Sequence, residues 1–122
     1  MIIVDANIWI DHLRGRVCPE LDELVLNDEA AMHPHVLGEI ALGSFRDRVG
    51  VLMRLERLPV PNVAREGHVM YMIEEHRLFA TGIGYSDAHL LASARISPDG
   101  FLWTQDKRLH AQAERLGVAY TP

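Results

Sequence analysis

The chain of 122 residues has one cysteine, one lysine and no long apolar run, and each shortage removes a class of function. Cys18 has no intrachain disulfide partner and cannot start a thiolate zinc site, so neither a disulfide scaffold nor redox chemistry is expected. The apolar opening from Met1 to Val4 is cut at Asp5, with no basic region followed by a long apolar stretch. No signal peptide or membrane span is expected, and the cytoplasm is the expected compartment. A broad basic surface for nucleic acid is also missing, because the formal net charge is −5. Lys107 is the only lysine among the 12 basic residues, and the others are arginine, the better fork for phosphate oxygens.

What is present is ordinary for a soluble globular chain: 48% hydrophobic and 24% charged residues, with enough length for one core. Residues 1–122 are read as one domain. Ile2, Ile3 and Val4 form a β-branched run ahead of Asp5, followed by a helix carrying Ile8, Trp9, Ile10 and Leu13 and stopped at Gly15. Pro19 and the acids after it predict a second helix to about Leu26, then a short strand at Ala30 to Met32. Helical spacing covers His35 to Leu42, ending at Gly43, and an amphipathic stretch runs from about Phe45 to Leu58, with Val49, Leu52, Met53 and Leu55 on its apolar side. Asn62 is the expected cap of the next helix, and Ser86 the cap of one that Asp87 opens. A strand at Phe101 to Thr104, a helix from Lys107 to Leu116 and a strand at Val118 to Tyr120 complete the order. Strands alternating with helices imply an α/β fold with a parallel sheet covered by helices.

In such a sheet, ligands bind beyond the carboxyl ends of the strands. Asp5 ends the first strand, Asp106 lies two residues past Thr104, and Asp87 starts a helix facing that edge. Glu39, within its helix, reaches the same place only through tertiary packing. Carboxylates that share a pocket repel one another unless a cation sits among them. Hard oxygen donors favour Mg²⁺, with Mn²⁺ the alternative, over zinc, and such a site suits phosphodiester hydrolysis.

Taken singly, each acid has a plainer reading. Asp5 and Asp106 follow strands, where aspartate often serves a loop or cap, and Asp87 suits the positive end of a helix dipole. Glu39 is the most telling, because an acid flanked by Val36, Leu37, Ile40, Ala41 and Leu42 is expected to be partly buried without a partner. His33, His35, His68, His76, His89 and His110 lack a tight ligand spacing and read as structural or surface residues. Trp9 and Trp103 read as core. Arg14, Arg16, Arg46 and Arg48 are the phosphate-contact candidates, although exposed helix faces explain them equally well.

Four stretches, IVDANIWIDHLR from Ile3, HPHVLGEIALG from His33, GIGYSDAHLLASA from Gly82 and LWTQDKRL from Leu102, each hold one of these acids. In that order they resemble the acid-bearing blocks of PIN-domain ribonucleases, most closely the VapC-type toxins of bacterial toxin–antitoxin pairs. The resemblance spans essentially the whole chain. It implies a three-layer α/β/α sandwich with a central, mostly parallel sheet. It also implies Mg²⁺ held by Asp5, Glu39, Asp87 and Asp106, with Asn7 and Thr104 as supporting polar residues, and RNA endonuclease activity that inhibits translation and growth. A cognate antitoxin and a homodimer are implied as well. Position 7 is often a hydroxyl residue in relatives, so the amide of Asn7 is a departure.

Two competing readings follow from the same residues. An aspartate-nucleophile phosphatase would want a second aspartate two residues after Asp5, where Asn7 stands. A catalytically inactive PIN-like interaction module would need none of the four acids, yet all four are present.

Overall fold

A computed structural model describes residues 1–122. The β-branched start forms strand β1 (Ile2–Val4), fully buried, at the centre of a three-stranded sheet. Strand β2 (Ala30–Ala31) and strand β3 (Phe101–Trp103) flank it, both parallel to it. Ile2 pairs with Ala30 on one side and with Phe101 on the other, and Val4 pairs with Trp103. Parallel neighbours need long crossovers, and the helices supply them. Between β1 and β2 run α1 (Ala6–Leu13) and α2 (Pro19–Leu26). Between β2 and β3 run α3 (Pro34–Ala41), α4 (Arg48–Leu55), α5 (Glu66–Glu75) and α6 (Tyr85–Ile96), and α7 (Lys107–Arg115) follows β3. The class is α/β, as expected, and no helix is long and apolar enough to cross a membrane.

The core is one cluster that runs through the sheet and into every helix, including Ile3, Leu21, Ile40, Leu91, Leu102 and Leu109. Trp9 and Trp103 are both buried in it. Helix α6 is the buried spine: every residue from Ala88 to Ala94 is buried, with the small Ala88, Ala92, Ser93 and Ala94 allowing close packing against β1 and β3. Its exit to β3 turns on Gly100, where a methyl group would lie 2.1 Å from the Ala94 carbonyl oxygen. Only glycine fits there.

Several boundaries depart from the sequence reading. The amphipathic stretch from Phe45 to Leu58 is helical only as α4, and Val49 and Met53, expected on the apolar side, are exposed while Val51 and Leu55 are buried. Asn62 is not a helix cap, because α5 starts at Glu66; its side chain instead donates to the Ile96 carbonyl at 3.0 Å. Helix α6 starts at Tyr85 with Gly84 as its cap, so Ser86 lies inside it, with its hydroxyl 3.3 Å from His35 Nδ1. The final strand reduces to one parallel bridge between Leu102 and Ala119, held by hydrogen bonds of Leu102 N–H to Val118 O and Tyr120 N–H to Leu102 O.

His33 joins α3 to α6. As the cap of α3, its Nδ1 accepts the His35 N–H at 3.0 Å, so the ring proton belongs on Nε2, which donates to Ser93 Oγ at 3.0 Å. Ser93 Oγ also accepts the Ala64 N–H at 3.1 Å, which fixes the approach to α5. Burial, then the nearby His35 and His89, lower the His33 pKa from 6.5 to about 4. A depressed histidine stabilises the fold above its unfolded pKa, and that contribution is lost as pH falls through the folded one. Between pH 6.5 and about 4 the protein is therefore expected to lose about 3 kcal/mol through His33. Urea unfolding across that window should show a shallower decline in His33→Gln than in wild type, and parallel curves would contradict the assignment.

Candidate active site

The carboxyl ends of β1 and β3 bring two of the four acids together because the strands are adjacent and in register. Asp5 is the residue after β1 and the N-cap of α1; its Oδ1 accepts the Ala6 N–H at 2.7 Å. Across the strand pair, Thr104 Oγ1 donates to Asp5 Oδ2 at 2.7 Å. The same hydroxyl accepts the Asp106 N–H at 3.1 Å and the Asn7 side-chain amide at 3.3 Å. Its one donor and both acceptor positions are thus filled. Asn7 Nδ2 also lies 3.4 Å from Asp5 Oδ2, and Asn7 Oδ1 accepts the Gln105 N–H at 3.2 Å. Asp5, Asn7, Thr104 and Asp106 therefore form one hydrogen-bonded unit, with Asp5 and Thr104 buried.

The other two acids arrive on helices. Asp87, in the first turn of α6, accepts the Gly84 N–H through Oδ2 at 3.0 Å. Asp106 caps α7, its Oδ1 taking the N–H groups of Arg108 and Leu109 at 2.9 and 3.1 Å. Glu39 stands on the exposed face of α3 with no hydrogen bond to its carboxylate, contrary to the expectation of partial burial set by its apolar neighbours. Val36 and Ile40 turn inward, and Glu39 lies at the edge of that buried stripe, exposed.

Electrostatics ties the four together. The Asp5 pKa is raised, first by burial and then by the charges of Asp87 and Asp106, against the lowering effect of the Thr104 and Ala6 hydrogen bonds. The Glu39 pKa is raised by local desolvation and by the charges of Asp5 and Asp87, with His35 opposing. His35 was read from the sequence as a structural or surface residue. Its place one helical turn before Glu39, at i and i+4, was the available signal that it neighbours the acids.

The donor set fits a hard divalent cation. Glu39, Asp87 Oδ1 and Asp106 Oδ2 carry no hydrogen bond, so each offers free oxygen lone pairs. No three His, Cys, Asp or Glu side chains are drawn together as a closed ligand cage. Oxygen donors of this kind suit a hard cation such as Mg²⁺, which takes one or two carboxylates directly and keeps its waters. The largest cavity, about 520 Å³, lies elsewhere, among α1, α2 and α4, lined by residues such as Trp9, Leu13, Val25 and Leu55 and by none of the four acids.

The family model described as PIN domain matches residues 2–115. Ribonuclease VapC32 of Mycobacterium tuberculosis, from strains CDC 1551 / Oshkosh and ATCC 25618 / H37Rv, is 42% identical over 119 residues, covering 98% of this chain and 95% of the relative. Among solved structures, the crystal structure of FitAcB from Neisseria gonorrhoeae superposes with a TM-score of 0.63 at 23% identity, covering 98% of this chain and 95% of that one, a likeness of fold. The family model's match over residues 2–115 and the 42% identity across nearly the whole length establish that this chain belongs to the PIN domain family.

Proposed function

We propose that the protein is a Mg²⁺-dependent RNA endonuclease, the toxin of a toxin–antitoxin pair. The observation that carries this reading is the convergence of Asp5, Glu39, Asp87 and Asp106 at one sheet edge, each of the two shifted acids sensing others of the set. The 42% identity to a relative named as a ribonuclease supports RNA as the substrate. In this reading the four acids hold the cation together, one or two binding it directly and the others through its waters, with Mn²⁺ as a substitute. When bound, Mg²⁺ supplies Lewis acidity toward the phosphate and activates water at neutral pH.

The chain's own residues do the rest. Thr104 and Asn7 fix the rotamer of Asp5, so that its carboxylate faces the site in a single orientation. Gly84 and the first turn of α7 do the same for Asp87 and Asp106. Glu39, bound by no donor and shifted toward the proton, is the group freest to accept one from the attacking water. The resemblance to VapC-type toxins extends the proposal to a cytoplasmic homodimer that inhibits translation and growth until a cognate antitoxin neutralises it.

Two outcomes are expected. Asp5→Asn and Asp87→Asn should each lower cleavage of bacterial total RNA in Mg²⁺ by about 100-fold or more while the proteins stay folded, since loss of even a supporting contact to a metal site typically costs 10–100-fold. Mapped RNA ends that persist in either folded variant would sink the mechanism. The second concerns stability without metal. A carboxyl with a raised folded pKa stabilises the fold while protonated, and that contribution is lost as pH rises through the folded value. In chelator near neutrality, Glu39→Gln should therefore melt about 1–2 °C higher than wild type, the exposure of Glu39 keeping the effect small. The gain should shrink below the ordinary glutamate range, and Mg²⁺ should reverse the order by stabilising wild type more. A lower melting temperature for Glu39→Gln in chelator would contradict the clustering of like charges.

A further inference from the structure

Two of the four phosphate-contact candidates read from the sequence are engaged within the protein. Arg16 is paired with Asp11 at 3.3 Å, and the guanidinium of Arg48 is engaged by the Ala41 carbonyl. Another arginine is set differently. Arg108 is the second residue of α7, and its backbone N–H is one of the two that Asp106 caps. Its side chain runs back across Gly82, in the loop that joins α5 to α6 and leads to Asp87. A methyl group on Gly82 would lie 2.7 Å from Arg108 Cδ, 3.0 Å from Nη1 and 3.2 Å from Nε. Gly82 also has φ +87°, a conformation that favours glycine for a separate reason. The missing side chain is thus the seat on which the arginine lies.

Packing therefore orients a cation that no protein group neutralises. Arg108 is exposed, makes none of the four ion pairs, and its guanidinium donates no hydrogen bond within the protein. Other arginines share the lack of a partner; Arg108 differs in being laid against the segment leading to one site acid while its own backbone is capped by another. A nucleic acid approaching these carboxylates brings more negative charge to an already acidic edge. An arginine at the rim offsets that repulsion, and one already held along a loop loses less side-chain freedom on binding than one free in solvent.

We infer that Arg108, seated on Gly82, contacts an RNA backbone phosphate next to the scissile one and so positions the strand over the four acids, an inference that rests on the ribonuclease reading above. The contact is to phosphate and carries no base preference, so its loss should weaken binding across sequences and lower its salt dependence.

The test uses the full chain as the Asp87→Asn variant in Mg²⁺, with a fluorescein-labelled single-stranded RNA of mixed sequence, and reads anisotropy over a range of salt. Adding Arg108→Ala should weaken binding by roughly tenfold and reduce the slope of log K against log salt by about 0.7, the value for one phosphate contact on a single strand. Arg108→Lys should restore the slope and part of the affinity. Unchanged affinity, weaker binding with an unchanged slope, or a lower melting temperature with unchanged affinity would each overturn the inference, the last by showing Arg108 to be only a brace between loop and helix. Failure of the Asp87→Asn parent to bind RNA would overturn it too. Whether wild type cleaves total RNA decides the ribonuclease reading separately.

Discussion

The hydrogen bond from Thr104 Oγ1 to Asp5 Oδ2 is the contact on which the arrangement of the site depends. It spans the carboxyl ends of the adjacent strands β1 and β3, and it exists because Val4 and Trp103 are in register, which brings the residues that follow them side by side. The hydroxyl also receives the Asp106 N–H, so one side chain sets the rotamer of the first acid and the backbone position of the last. Both Asp5 and Thr104 are buried, where an unmet polar group is costly, so the pair is held by the penalty of breaking it as well as by its own strength. Two helices grow outward from this point, α1 capped by Asp5 and α7 capped by Asp106. The same carboxylates that gather at the site therefore start the helices that frame it.

Against that ordering stands the repulsion of like charges. Asp5 is held under the fields of Asp87 and Asp106, and Glu39 under those of Asp5 and Asp87, so the metal-free fold keeps its acids together at a cost in free energy. The cost is met by packing behind them: β1 is wholly buried, and α6 is anchored along its length by alanine and leucine. In the proposed reading, a cation bound among these acids would offset the same repulsion.

Much of this was legible in the sequence for physical reasons. The β-branched run before Asp5 and the aromatic and apolar run before Asp106 marked two buried strands, and parallel α/β topology sends the ends of such strands to one edge. The α/β class followed from the alternation of strands and helices, and the PIN resemblance from four acid-bearing stretches that include these two. Where the reading went astray, tertiary packing decided. Glu39 was expected to be partly buried from its neighbours in sequence, but α3 turns Val36 and Ile40 inward and leaves Glu39 exposed. Asn62 has the oxygen a cap needs, but its side-chain amide instead donates to the Ile96 carbonyl, 34 residues away. Ser86 was displaced as a cap because Gly84, helped by the Asp87 carboxylate, starts α6 earlier. The seat of Arg108 on Gly82 joins residues far apart in the chain, and no local pattern announces it.

The central claim is that four acids from separate parts of the chain make one cation site. Titration of the protein with Mn²⁺, followed by electron paramagnetic resonance, tests it most directly. The account predicts saturable binding by wild type that Mg²⁺ displaces, and that Asp5→Asn, Asp87→Asn and Asp106→Asn each weaken while remaining folded. Binding that survives all three substitutions, or none in wild type, would contradict it.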